Sequence, residues 1–340
     1  MKVWLKSLFG GAIGLLAGVT LWAQGDSAIS VVFKPVVVEL PPDSEPAETD
    51  IVATESRPVA SWLEAQIELS RRGFSCGPID GVAGAQTGAA LRAFQAANGL
   101  ESNGRLDTAT LAILRLTAPA FFVRSVTAED LASLQPLSET WLGKSQQTAL
   151  AYETALEAIA ERYHAHPNLV KKMNPAVDWA MVTPETPITV PAIERVFPNL
   201  KAARLHIRLA ERILQAHDAS GGVIAHFPVS IARRVDKRPV GELKVTVIAP
   251  NPNYTFDPAV FPESDEAREL GRRLILPPGP NNPVGVAWIG LSLSGYGIHG
   301  TPIPEHVGRT ESHGCFRLAN WDARALIDLA WVGLTVVVEP

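Results

Sequence analysis

Ser312-His313-Gly314-Cys315-Phe316-Arg317, close to the C-terminal end of the chain, places a cysteine two residues after a histidine and two before an arginine. Upstream of it, His299 follows an apolar, glycine-containing run, Val286-Ala287-Trp288-Ile289-Gly290-Leu291-Ser292-Leu293, that reads as a strand. The thiolate is the reactive form of cysteine, and neighbouring cations favour it. Gly314 leaves the backbone beside the sulfur open, so its N–H and that of Cys315 are suited to a developing oxyanion. Arg317 carries a permanent charge in a planar fork that matches a carboxylate. A nucleophile, two candidate bases, oxyanion donors and a carboxylate clamp in one short segment outline an acyl-transfer site.

The run His299-Gly300-Thr301, followed by Ser312-His313-Gly314-Cys315-Phe316-Arg317-Leu318, resembles the signature of the YkuD-type L,D-transpeptidases, bacterial cell-wall enzymes. The likeness extends from Asn281-Asn282-Pro283-Val284-Gly285 through Asn320-Trp321-Asp322, roughly the last third of the chain. It implies Cys315 as nucleophile, His299 as proton donor and acceptor, and His313 in support. The Gly300 carbonyl would hold the other nitrogen of the His299 ring. Gly314 and Cys315 would supply the oxyanion donors, and Arg317, Ser312 and Gly300 the contacts to substrate. The residues alone leave His299 and His313 as rival bases, because either lies within conceivable reach of the sulfur. They also leave Arg317 open to pairing with a structural carboxylate, and Ser312 to a turn-stabilising role. His299, His306, His313 and Cys315 together are a conceivable zinc set. The adjacent arginine and the family likeness argue against it, so neither metal nor cofactor is expected.

The composition is that of a globular protein, 46% hydrophobic and 19% charged over 340 residues, with room for two or three domains. A net charge of −5 gives no support to nucleic-acid binding. Lys2 and Lys6 precede an apolar run from Leu8 to Trp22, and Ala23-Gln24-Gly25 fits a small-x-small cleavage site. Residues 1–25 therefore read as an export signal or, if uncleaved, as a membrane anchor. The expected location is the periplasm, in association with the wall. Cys76 and Cys315 are the only cysteines. A bond between them would block the proposed nucleophile, so Cys315 is expected free and Cys76 buried.

Taken in order, residues 26–57 are rich in Pro, Glu, Asp, Ser and Thr and read as a flexible linker, apart from two valine-rich runs near residues 31–38. Residues 58–117 read as three helices: one from Trp62 to near Gly73, one carrying Thr87, Leu91 and Phe94, and one capped by Asp107. Gly77-Pro78-Ile79-Asp80-Gly81, Phe94-Gln95 and Gly99-Leu100 in this stretch resemble the three-helix peptidoglycan-binding module. Residues 118–148 are expected to link, with Thr127 or Asp130 capping a short helix. Residues 149–192 carry two helices and a closing strand at Ile188-Thr189-Val190-Pro191, an order that resembles a LysM glycan-binding module. It departs from that family where Glu153-Thr154-Ala155 replaces the usual Gly-Asp-Thr. His164 and His166 are expected at the surface or as caps.

Residues 201–340 alternate short strands with Gly/Pro loops, include a short helix from Ser264 to Arg272, and close with a helix at Trp321 and a strand at Leu334. They predict a β-sandwich or barrel. The expectation is thus a multidomain α+β chain: a three-helix module, a LysM-like module and a β-rich L,D-transpeptidase domain. Its partners would be peptidoglycan stem peptides and glycan, and a wall-anchored protein as an alternative acceptor. Membrane contact would come only through an uncleaved N-terminal segment.

Overall fold

The computed structural model describes residues 56–193, 200–260, 264–309 and 314–340. The export segment and the valine-rich runs lie outside them, as do Ser312 and His313. The first unit opens with β1 (Arg57–Pro58), followed by α1 (Trp62–Arg71), α2 (Ala85–Ala97), α3 (Thr108–Ile113) and β2 (Arg115–Leu116). The helix starts follow from their caps: Ser61 Oγ accepts from Glu64 N, and Asp107 Oδ1 from Thr110 N. β1 pairs antiparallel with β2, so Arg57, expected in the linker, belongs to the folded unit.

Residues 118–148 are more than a linker. They contain β3 (Phe121–Ser125), α4 (Ala128–Ala132) and α5 (Trp141–Gln146). Thr127 and Asp130 cap α4 reciprocally. Then come α6 (Ala155–Arg162), α7 (Pro167–Met173) and β4 (Pro187–Pro191). β3 pairs antiparallel with β4, so the middle unit begins with a strand that its helix–helix–strand sequence pattern did not reveal. The short, half-exposed Phe121-Phe122-Val123 run becomes a strand because β4 offers it a partner. One apolar cluster runs from Val59 through Leu91, Phe94, Ala120 and Val126 to Ile159 and Val190, so the first and middle units share a core.

The remaining elements are β5 (Arg204–Arg208), β6 (Ile213–His217), β7 (Val223–Pro228), β8 (Gly241–Pro250), β9 (Tyr254–Phe256), α8 (Asp265–Leu270), β10 (Leu274–Leu276), β11 (Ala287–Leu291), β12 (Gly297–His299), β13 (Phe316–Arg317), α9 (Asn320–Leu329) and β14 (Thr335–Glu339). Eight of these strands form one mixed sheet in the order β13-β12-β11-β8-β14-β5-β6-β7. The β12–β13 and β14–β5 pairs are parallel. The sheet curls until its ends meet: Ser230, just beyond β7, exchanges backbone hydrogen bonds of 2.9 and 3.0 Å with Arg317 of β13. The curled sheet is thus closer to a barrel than to two stacked layers. Its inner face packs Leu205, Ile207, Phe227, Val245, Ile289, Ile298, Phe316, Val336 and Val338 against Ala323, Leu326 and Leu329 of α9.

The first unit covers the β7 edge. Ser75 N donates to the His226 carbonyl at 2.8 Å, and His226 N to the Gly73 carbonyl at 2.9 Å. This contact occupies backbone groups that an exposed edge would leave unpaired. The middle unit docks as well: Trp141 stacks on Phe256 at 4.4 Å, and Leu150 packs with Leu274 and Leu276.

Candidate active site

Strand register brings the candidate residues together. In the parallel pair, Ile298 lies opposite Phe316 and His299 opposite Arg317. Ile298 and Phe316 point into the core. Side chains alternate along a strand, so Gly297 and His299 share the other face with Cys315 and Arg317. His299 is therefore a diagonal neighbour of Cys315, within reach of an imidazole. Trp288 lies opposite His299 on the far side and stacks on its ring at 5.6 Å. Gly297 makes room for that indole: a Cβ there would stand 2.6 Å from two carbons of the Trp288 ring. Ala249, Val284, Val247 and Tyr254 complete an apolar wall around Cys315.

Cys315 is 8% exposed and His299 5%. The Cys315 thiol donates to the Gly295 carbonyl at 3.6 Å. Burial pushes it up to about 11, although the Gly297 N–H and Arg317 pull the other way. The expectation of a thiolate stabilised by its cation is therefore corrected: desolvation outweighs the arginine. Burial, with Arg317 adding to it, lowers His299 to about 3. Its Nδ1 lies 2.6 Å from the Gly300 carbonyl, which can only accept, so Nδ1 carries the proton and Nε2 keeps its lone pair. At neutral pH the site holds a neutral thiol and a neutral imidazole with a fixed tautomer. That pair can pass a proton as a carbonyl is attacked, without first separating charge.

Arg317 forms no salt bridge among the described residues, and burial lowers its pKa against the opposing pull of Cys315 and Tyr254. Tyr254, at the start of β9, is pushed up to about 12 by burial and by the Cys315 sulfur. Gly314 is half-buried beside the Tyr296 ring. Among the described residues no group of three or more His, Cys, Asp or Glu is placed to hold a metal ion, and His306 is exposed where His299 and Cys315 are buried. The loop between His299 and Cys315 is tied to the first unit. Gln86 Nε2 donates to the Val307 carbonyl at 2.5 Å, and Arg309 stands 3.8 Å from Asp80. His164 also departs from expectation: it stacks on Trp321 at 5.2 Å, whereas His166 caps α7 through Nδ1. Cys76 is buried and unbridged, as is Cys315.

Residues missed by sequence reading are Trp288, Tyr254 and Asn320 as neighbours of the site. Asn320 carried a signal, since it lay inside the run that resembled the family. Tyr254 carried none, because a loop tyrosine acquires its place only when β9 folds against the sheet.

Residues 202–338 match the L,D-transpeptidase catalytic domain family, YkuD, and residues 59–114 match a family described as "Putative peptidoglycan binding domain". "Putative L,D-transpeptidase YkuD" of Bacillus licheniformis is 24% identical over 185 residues, 54% of this chain and 93% of that protein. "Putative L,D-transpeptidase in ATP synthase subunits region ORF 5" of Fuscovulum blasticum is 32% identical over 142 residues, 42% of this chain and 72% of that protein. Among solved structures, an L,D-transpeptidase (residues 123–326) from Xylanimonas cellulosilytica aligns with a TM-score of 0.33 at 16% identity, covering 87% of this chain and all of that one. On the sequence matches, the chain belongs to the L,D-transpeptidase family, as a transpeptidase enzyme whose catalytic domain is joined to a peptidoglycan-binding domain.

Proposed function

We propose that the chain cross-links peptidoglycan through a cysteine acyl-enzyme. The Cys315 sulfur attacks the carbonyl of the third residue of a tetrapeptide stem. As the C–S bond forms, the thiol proton passes to His299 Nε2. The C–N bond to D-Ala then breaks, and the imidazolium returns that proton to the departing amine. An acceptor amine from a second stem attacks the thioester, gives its proton to His299, and the sulfur is reprotonated as it leaves. The N–H groups of Gly314 and Cys315 hold the oxyanion in both steps. Arg317 holds a carboxylate or carbonyl of the donor stem, Ser312 and Gly300 add substrate contacts, and His313 supports the nucleophile. The peptidoglycan-binding domain raises the local concentration of stems. The LysM-like resemblance extends that reading to a second glycan contact from the middle unit, and residues 1–25 direct export to the periplasm.

The reading rests on a buried thiol and an imidazole of fixed tautomer on one face of adjacent strands. Imipenem offers a strained acyl donor, so wild-type protein should gain one adduct by intact mass and Cys315→Ala none. A wild type that stays unmodified would refute the acyl-enzyme. Purified disaccharide-tetrapeptide then separates acceptors: dimers report transfer to an amine, and tripeptide monomers alone report transfer to water, the carboxypeptidase alternative. Adding a lysine-bearing wall-anchored protein to the same mixture tests attachment.

A further inference from the structure

Three consecutive residues open α9, and each is gripped from outside the catalytic domain. Asn320 Nδ2 donates to Glu161 Oε1 at 3.0 Å and to Oε2 at 3.2 Å. The Trp321 indole stacks on His164. Asp322 Oδ2 accepts from Ser75 Oγ at 2.8 Å. Asn320 also reaches the backbone that flanks β11 and β12. Its Oδ1 accepts from Val286 N at 3.3 Å, and its amide lies against the backbone of Gly285 and Gly300. The fit is so close that a Cβ on either glycine would overlap Asn320 Oδ1. Gly300 in turn supplies the carbonyl that accepts from His299 Nδ1.

Glu161 is buried and forms no salt bridge among the described residues. Tyr152 Oη donates to its Oε1 at 2.9 Å. Burial, aided by Glu157 and Glu305, pushes it up to about 7 against the bonds from Tyr152 and Asn320. A carboxyl group kept there without a cation costs folding free energy, so its geometric effect matters. Its two oxygens join the Pro280 carbonyl in fixing which way the Asn320 amide faces. Without them Nδ2 keeps only the Pro280 carbonyl, at 3.1 Å, and a flipped amide would turn NH2 toward the Val286 N–H.

We propose that Glu161, on the middle unit, is a positioning residue for His299. Through Asn320 it sets the Gly285–Gly300 contact, and with it the carbonyl that holds the imidazole in the Nδ1–H tautomer. The proposal rests on the reading of His299 as the proton carrier. It places one determinant of proton transfer outside the catalytic domain, so that docking of the middle unit and competence of the site are linked.

The test uses the full chain, with imipenem acylation followed by intact mass and the His299 ring nitrogens followed by long-range nitrogen–proton NMR. Glu161→Ala should lower the maximal acylation rate by about 100-fold, the scale of a small misplacement of a catalytic group. The half-saturating imipenem concentration should hold, and the His299 signals should move from the Nδ1–H pattern toward a tautomer mixture. Glu161→Gln, which keeps an acceptor for Asn320 Nδ2, should restore most of the rate and the wild-type ring pattern. Asn320→Asp, which sets oxygen against oxygen, should reproduce the alanine result and serves if Glu161→Ala does not fold. Wild-type rate and an unchanged ring pattern in the folded alanine or aspartate variant would overturn the proposal. If wild-type protein is not acylated at all, the acyl-enzyme reading fails separately, and the ring spectra still decide whether Glu161 governs the His299 tautomer.

Discussion

At the scale of single residues, burial controls the chemistry of this protein more than proximity of charge does. Cys315 sits near Arg317 and still holds its proton, and His299 is neutral far below the usual imidazole range. Replacing His299 with Gln should slow acylation by about 10²–10⁴-fold, the usual range for a lost acid–base group, as read by the rate of imipenem adduct formation. His226, fully buried at the contact with the first unit, is likewise held down to about 3 by burial. The unfolded chain therefore binds a proton at each of these rings below about pH 6.5 that the folded chain refuses. Stability is full above that pH and falls as the pH drops toward 3. Between pH 7 and pH 5 each ring should remove on the order of 2 kcal/mol. Urea unfolding of wild type and His226→Gln at both pH values checks this: the variant should lose less, and an equal loss would show that His226 does not titrate as argued.

At the scale of elements, β12 and β13 do most to build the site. Each has only two or three residues, yet their parallel register decides which side chains meet. Trp288 on β11 is the floor on which His299 rests, and Gly297 is the space the indole needs. Gly297→Ala should force that ring aside, costing about 1–3 kcal/mol in stability, as overpacking does. It should also slow acylation, because the imidazole loses its support. A urea midpoint and acylation rate both at wild-type values would mean that the indole has somewhere else to go.

At the scale of the whole molecule, the first unit, the middle unit and the curled sheet behave as neighbours with shared surfaces. Phe74 is buried where the first unit meets β7, edge-on to Phe94 at 5.5 Å. Phe74→Ala should cost about 3–5 kcal/mol, the range for deleting a buried aromatic ring. In calorimetry it should split a single heat-absorption peak into two, as the sheet loses the unit that covers its edge. The ion pair of Arg309 with Asp80 crosses the same boundary at 3.8 Å, with a mostly exposed guanidinium, so Arg309→Ala should leave the melting profile nearly unchanged. A split peak in Arg309→Ala and none in Phe74→Ala would reverse the assignment of what joins the units.

Local chemistry was legible in the chain because it depends on neighbours a few residues away. The helix beginning at Trp62, the caps at Asp107 and at Thr127 or Asp130, the alternating strands from Arg204 onward, and the run around Cys315 could all be read without coordinates. Hidden were relations between residues far apart in sequence. Those include the pairing of β3 with β4, closure of the sheet at Ser230 and Arg317, and the grip of Ser75, Glu161 and His164 on Asn320, Trp321 and Asp322. The protonation of Cys315 belongs with these. Sequence shows which charges lie nearby along the chain, but desolvation depends on what packs around the sulfur from every side, and only the folded arrangement supplies that.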